Sequence, residues 1–321
     1  MAQGRCGAAS GADRVAGVFS NESRGGARSR PLVVTAVVVA AALAGGWFVY
    51  DAQRASDAGP AAGRSPAAAP STAAGHGGAS GSPVAHGDPS ATAAARRELT
   101  GRTIVIDPGH NLGNATHIAQ IDKLVDIGTN RKACDTTGTS TNAGYPEATY
   151  TLDVAHRARA LLEARGAKVV FTYDGDRPYG PCVDERARIG NAAHADAALS
   201  IHADGAPADR FGFHVIAPRS VHKGAADTRA IAAPSLRLAT TLRSRFAAAT
   251  REPLANYLGG KGLTIRDDLG GLNLSTVPKV FIECGNMRNA RDAAEMTDPA
   301  WRQRAAQGIA DGLTAFLEGK R

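Results

Sequence analysis

A chain of 321 residues, 43% of them hydrophobic, is long enough for one sizeable core, yet only part of it has the composition of a folded domain. Its net charge of +7 is spread over the whole length: residues 1–97 carry 9 Lys and Arg against 5 Asp and Glu, and residues 98–321 carry 28 against 25. With aromatics at 5% and no dense Lys/Arg stripe in that second part, nucleic-acid binding is excluded as the leading reading.

Taken in order, residues 1–30 are a polar segment, expected to be cytoplasmic, with Arg24, Arg28 and Arg30 just ahead of an apolar run. Residues 31–50 carry no charge over about the 20 residues that one membrane span needs. Arginines on the amino side and Trp47 and Tyr50 at the far end favour a transmembrane anchor. A cleavable signal is the competing reading, because Ala42-Leu43-Ala44 matches an A-x-A site. Either way the remainder is exported, anchored on the outer side of the membrane or secreted. Residues 51–97, dominated by Ala, Gly, Ser and Pro, lack the apolar surface to offset their ordering entropy and read as a disordered linker.

The folded domain is expected over 98–321. Ile104, Val105 and Ile106 form a β-branched run that stops at Pro108-Gly109, which places His110 at a strand's carboxyl end. The stretch 111–146 is long, polar and rich in Gly, Asn and Thr, so it is either functional or tied down. Glu147 opens a helix with Leu152, Ala155, Ala158, Leu161 and Leu162 on one face, ended by Gly166. Strands follow at 168–173, 197–201, 211–217 and 279–282, with helices at 183–195, 235–249 and 299–317. That alternation predicts an α/β fold: a single domain with a mostly parallel twisted sheet flanked by helices.

Of the four cysteines, Cys6 precedes the apolar run and should stay reduced in the cytosol. Cys134 and Cys182 lie in loops of the exported part and are the natural disulfide pair, while Cys284 reads as a small buried residue.

Three strand-like runs deliver His110, His202 and Glu283 to their carboxyl ends, where open α/β sheets build their sites. We read a zinc site with His110, Glu147 and His202 as ligands and a fourth position open to water. The ligands follow no short spacing motif, and each has a plain alternative; Glu147, for one, could simply favour a helix dipole. Glu283, ending an apolar strand, needs a partner or a task. An ion pair with Arg186 or Arg288 is one possibility; a general base that carries a proton for the metal-activated water is the reading preferred. His156 falls on the far side of the helix from Glu147, and His214 is a candidate for substrate contact.

The strings Ile104-Val105-Ile106-Asp107-Pro108-Gly109-His110, Leu199-Ser200-Ile201-His202-Ala203-Asp204 and Phe281-Ile282-Glu283-Cys284-Gly285-Asn286, with Glu147 between, resemble the zinc-dependent N-acetylmuramoyl-L-alanine amidases. Gly144-Tyr145-Pro146-Glu147, Gly180-Pro181-Cys182-Val183-Asp184-Glu185-Arg186 and Gly271-Leu272-Asn273-Leu274 resemble the secreted actinobacterial, mycobacterial-type members. The resemblance, spanning 101–317, implies one zinc ion on His110, Glu147 and His202, and Glu283 as catalytic glutamate. It also implies a Cys134–Cys182 disulfide and cleavage of the amide between N-acetylmuramic acid and L-alanine in peptidoglycan. A zinc peptidase of the stem peptide, or a non-catalytic peptidoglycan-binding domain, are the alternatives. Two departures stand out. Asn286 replaces the aromatic residue many members carry after the glycine, and 218–234 is too short for the helical plug that some members withdraw with a partner. A monomer that requires no activator is therefore expected.

Overall fold

The computed structural model describes residues 98–258 and 261–319. The anchor or signal expected at 31–50 and the linker at 51–97 lie outside the described residues, as does Cys6. Among the described residues no helix is long and apolar enough to cross a membrane.

The first apolar run forms β1 (Thr103–Pro108), followed by a 3-10 turn (Leu112–Thr116), α1 (Ile118–Ile121) and the hairpin β2 (Leu124–Asp126) and β3 (Arg131–Ala133). Next come α2 (Glu147–Ala164), β4 (Lys168–Phe171), α3 (Val183–Ala192), β5 (Ala197–Asp204) and β6 (His214–Pro218). The two-residue strands β7 (His222–Lys223) and β8 (Ala226–Asp227) lead into α4 (Arg229–Thr250) and β9 (Leu263–Arg266). The described chain closes with α5 (Gly270–Asn273), β10 (Lys279–Asn286), α6 (Ala290–Thr297) and α7 (Pro299–Leu317).

Six strands make one sheet in the order β4-β1-β5-β10-β6-β9, parallel except where β10 meets β6. Alternation along the strands sorts the two faces. Ile104 and Ile106 of β1 and Leu199 and Ile201 of β5 join the main core with side chains of α2, α4 and α7, including Phe246 and Trp301. Each such fully buried aliphatic side chain contributes about 1.5–3 kcal/mol. Val105 and Ala198 point the other way into a smaller cluster, where α3 brings Gly190 against Val105. Asp107 and Ser200 lie in register on that second face. Helix α7 has the expected bounds because Pro299 fits its first turn and the Asp298 side chain caps the Ala300 and Trp301 amides.

The mostly parallel sheet agrees with the sequence reading, but several boundaries differ. β5 and β10 run on past Ile201 and Ile282, because backbone pairing continues after the apolar alternation gives way to His202 and Glu283. Helix α4 starts at Arg229, well before the expected Ser235, and carries Pro234 inside it. A proline near the amino end forfeits one hydrogen bond without stopping the helix. The 111–146 stretch holds short elements of its own and is tied down: Cys134 is bonded to Cys182, across a separation of 48 residues, and the Val183 amide donates to the Cys134 carbonyl at 2.7 Å. Replacing both cysteines by serine is expected to lower unfolding free energy by about 2–4 kcal/mol. Denaturant titration of wild type and variant measures this; coincident curves would show that the bridge does not constrain the chain.

Candidate metal centre

His110 leaves β1 through a tight turn with φ at 61°, in the left-handed region that few non-glycine residues adopt. Such a conformation costs on the order of 1–3 kcal/mol and persists only where its surroundings hold it. Here the Gly109 amide donates to Ile201 O at 2.9 Å, and Arg186 Nη2 donates to His110 O at 3.1 Å. A side chain at Gly109 has no room, since its Cβ would lie 2.4 Å from the His202 ring and 2.7 Å from Ile201 O. Gly109→Ala is therefore expected to displace His202 and weaken metal binding at least tenfold, read by competition with a chromophoric chelator. Unchanged affinity would mean that the ring position is not critical.

The three expected ligands meet. His110 Nε2 lies 3.2 Å and His202 Nδ1 3.1 Å from the same oxygen, Glu147 Oε1, and suitable donor atoms of the three all lie within 4.8 Å of one another. Glu147 is buried, 2% exposed, and its oxygens also accept from the Ala203 amide at 3.1 Å and the Thr139 amide at 2.9 Å. His110 Nδ1 faces Thr136 O at 3.0 Å and Asp135 Oδ1 at 3.5 Å, leaving Nε2 directed at the centre. The His202 ring stacks on Phe281, centroids 5.2 Å apart. Gly138, at φ 75°, lets the loop pass where a Cβ would come within 2.8 Å of His110. A cavity of about 280 Å³ opens beside the two histidines, lined in part by Lys132, Val183, Leu269 and Phe281.

Although burial opposes the charge, Glu147 and Asp135 push His110 up to about 10. Burial is likewise outweighed at Glu147, which the two histidines hold well below the usual carboxylate range. A cation and a proton thus compete for the His110 imidazole.

Glu283 stands beside His202 in parallel register and opposite His214 in antiparallel register. Among the described residues no group hydrogen-bonds to its carboxylate. Burial first, then the Asp204 and Glu147 carboxylates, push its pKa well above the usual range, against the pull of His110 and Arg266. Neither arginine weighed as an ion-pair partner serves it: Arg186 binds elsewhere, and Arg288 forms no ion pair among the described residues. His214 is buried with Nε2 2.8 Å from Asp204 Oδ2, an oxygen that also accepts from the Tyr257 hydroxyl. His156 pairs with Asp174 at 2.8 Å, away from the centre.

Sequence reasoning missed the buried scaffold behind the site. Asp107 accepts from Arg186 at 2.8 Å, Lys279 at 3.1 Å, Thr172 at 2.7 Å and Ser200 at 2.5 Å. Arg186 also donates to Asp135 Oδ2 at 3.0 Å, the residue that backs His110. The one available signal was an ionisable Asp107 closing an apolar strand, which must find partners.

Histidines and carboxylates gathered at the carboxyl ends of an open, mostly parallel sheet make a candidate metal centre of hydrolase type on an α/β scaffold. The family model Amidase_3, N-acetylmuramoyl-L-alanine amidase, matches residues 104–315, and the chain belongs to that family. It is 41% identical over 230 residues to the N-acetylmuramoyl-L-alanine amidase Rv3717 of Mycobacterium tuberculosis, covering 71% of this chain and 91% of that protein. The crystal structure of the amidase Ami1 from Mycobacterium smegmatis superposes with a TM-score of 0.63 at 39% identity, covering 69% of this chain and 99% of that one. The apo form of Ami1 from Mycobacterium abscessus gives 0.62 at 41% identity, covering 68% and 100%. The activity is that of a peptidoglycan N-acetylmuramoyl-L-alanine amidase.

Proposed function

We propose that His110, Glu147 and His202 hold one zinc ion and that Glu283 carries the proton in hydrolysis of the amide joining N-acetylmuramic acid to L-alanine. The convergence of two imidazole nitrogens and one carboxylate oxygen within 4.8 Å carries this reading. Two His and one Glu is a donor set of the catalytic zinc type, with a position left open. The ion, when bound, supplies Lewis-acid polarisation of the scissile carbonyl and lowers the pKa of a water molecule.

The chain's own groups do the rest. Thr136 O accepts from His110 Nδ1–H and so fixes the tautomer that presents Nε2. The Thr139 and Ala203 amides orient Glu147. Phe281 keeps one side of His202 dry. Glu283 accepts a proton from the attacking water and returns it to the departing L-alanine nitrogen, which leaves as an amine.

The protein works outside the membrane, on the cell wall, as a monomer without an activating partner. In support of that, 218–234 is taken up by the short β7–β8 pair and the start of α4, and none of its residues lines the cavity beside His110 and His202. The test is metal analysis and mass spectrometry of the purified full chain acting on muramyl peptides with no other protein added. Expected are one zinc per chain, free lactyl carboxyl groups and stem peptides with a free L-alanine amine. Release of stem-peptide amino acids with the lactyl amide intact would instead make it a peptidase. Turnover only after another wall protein is added would overturn the activator-free reading.

A further inference from the structure

Away from the catalytic centre, the chain leaves α4 through Arg251, in the left-handed region at φ 63°, and turns Glu252 inward. Glu252 is 3% exposed, and neither carboxylate oxygen accepts a hydrogen bond. Facing it is Asp292 of α6, 1% exposed. Its Oδ2 accepts from the Gly212 amide at 2.8 Å and the Asn286 amide at 3.0 Å, while its Oδ1 is buried without a partner. Glu295, one turn further along α6, adds a third carboxylate whose Oε2 is also buried and unpartnered. Oxygens of all three lie within 4.8 Å of one another. The guanidinium of Arg291 stands 3.7 Å from Glu252 and 3.5 Å from Glu295, beyond good hydrogen-bonding distance and half in solvent.

Three carboxylates against one half-solvated guanidinium leave negative charge uncompensated in a place from which water is largely excluded. Removing an ion from water costs several kcal/mol, so the cluster needs either a proton or a cation. We propose that Glu252, Asp292 and Glu295 form a calcium-binding site, distinct from the catalytic centre. The donors are all oxygen, with no imidazole or thiolate, which selects a hard cation over zinc. Carboxylate oxygens on a shared calcium ion sit about 2.3–2.6 Å from it and so span up to about 5 Å, in keeping with the observed spread. Unsatisfied oxygens from all three residues meet a coordination demand of about 6–8, completed by water.

The site would join the exit of α4 to α6. Asp292 also fixes the amide of Asn286, the last residue of β10, the strand that carries Glu283. Calcium therefore acts as a clamp on the far end of the catalytic strand.

The test uses the full chain, stripped of metals on a chelating resin, reloaded with one equivalent of zinc, and titrated with CaCl2 by calorimetry and thermal melting. One calcium per chain is expected, with Kd near 10⁻⁴–10⁻³ M as in extracellular modules, and a Tm that rises with calcium. Glu252→Gln should abolish the heat and the shift while calcium-free turnover stays at the wild-type level. Should that variant not fold, Glu295→Gln should weaken calcium binding at least tenfold. Without a cation, burial and the Glu295 and Asp292 carboxylates push Glu252 up to about 10, so a shared proton is the rival occupant. No heat and no Tm shift at about 10 mM CaCl2, ten times the weak end of such sites, would overturn the proposal in favour of that proton. Calcium binding that survives both substitutions would overturn it too, placing the ion elsewhere.

Discussion

Glu283→Gln is expected to keep its metal and lose about 10²–10⁴-fold in kcat with little change in KM. The glutamine keeps the shape of the side chain and the pairing of β10 with β5 and β6, so substrate binding and the ligand cluster persist. What disappears is a group able to hold a proton and give it up. Burial and the Asp204 and Glu147 carboxylates raise Glu283 well above the usual carboxylate range, which favours the protonated form that a proton carrier must visit. A bound divalent cation pulls in the opposite direction, so the operating value reflects both. A tenfold rate change corresponds to about 1.4 kcal/mol, and the predicted loss therefore amounts to about 3–5.5 kcal/mol of transition-state stabilisation. Stability should hold or rise, because the variant no longer buries an ionisable group among other carboxylates. Metal content by mass spectrometry, kcat by product assay and Tm together decide the matter. Loss of metal along with activity would make Glu283 a ligand, and unimpaired turnover would remove it from the reaction.

The parts of the fold legible in the sequence are those where one physical signal dominates. Ile104–Ile106 before Pro108-Gly109 announces a strand and its end, and β1 duly carries His110 to the sheet edge. Pro299 after Asp298 gives α7 both its cap and its first turn. Where signals compete, boundaries slip. His202 and Glu283 break the apolar alternation of their strands, so the sequence reading stops short of residues that the ladder still pairs. Short β9 (Leu263–Arg266), with Ile265 46% exposed on an edge strand, offers too little pattern to find, and α6 escaped notice because it is only 8 residues long with Met296 its one large apolar side chain. That His110, Glu147 and His202 would come together was readable because strand ends converge by topology. Its support was not, because Arg186 and Asp107 are 79 positions apart and nothing local says which carboxylate an arginine will meet. Arg186 was weighed as a partner for Glu283 on charge alone, whereas α3 presents it to the second sheet face, where Asp107 already lies.

Arg186→Met carries the largest expected loss of stability, about 3–5 kcal/mol, because it leaves Asp107 and Asp135 without the guanidinium between them. Arg186 is 5% exposed and donates to Pro181 O at 2.8 Å, Asp107 at 2.8 Å, Pro108 O at 2.6 Å, His110 O at 3.1 Å and Asp135 at 3.0 Å. Methionine fills much of the volume but satisfies none of these acceptors, and only Lys279, Thr172 and Ser200 remain to hold Asp107. In the native protein burial opposes ionisation of Asp107, yet Lys279 and Arg186 keep its pKa well below the carboxylate range. A carboxyl depressed on folding contributes stability that is present above its unfolded pKa and is lost as pH falls through the folded one. Taking away Arg186 narrows that depression, so acid unfolding should set in at higher pH as well as from a lower baseline. The same substitution frees the carbonyl of His110, whose left-handed backbone depends on it, and metal affinity should fall about 10–100-fold. Lysine at this position restores charge without the planar fork, so Arg186→Lys should recover part of the stability and little of the metal affinity. Urea titrations from neutral to acid pH, with metal competition on the same three proteins, separate the two effects. Equal acid sensitivity in all three would mean that Lys279, Thr172 and Ser200 suffice to keep Asp107 ionised, and that the arginine serves only the turn at His110.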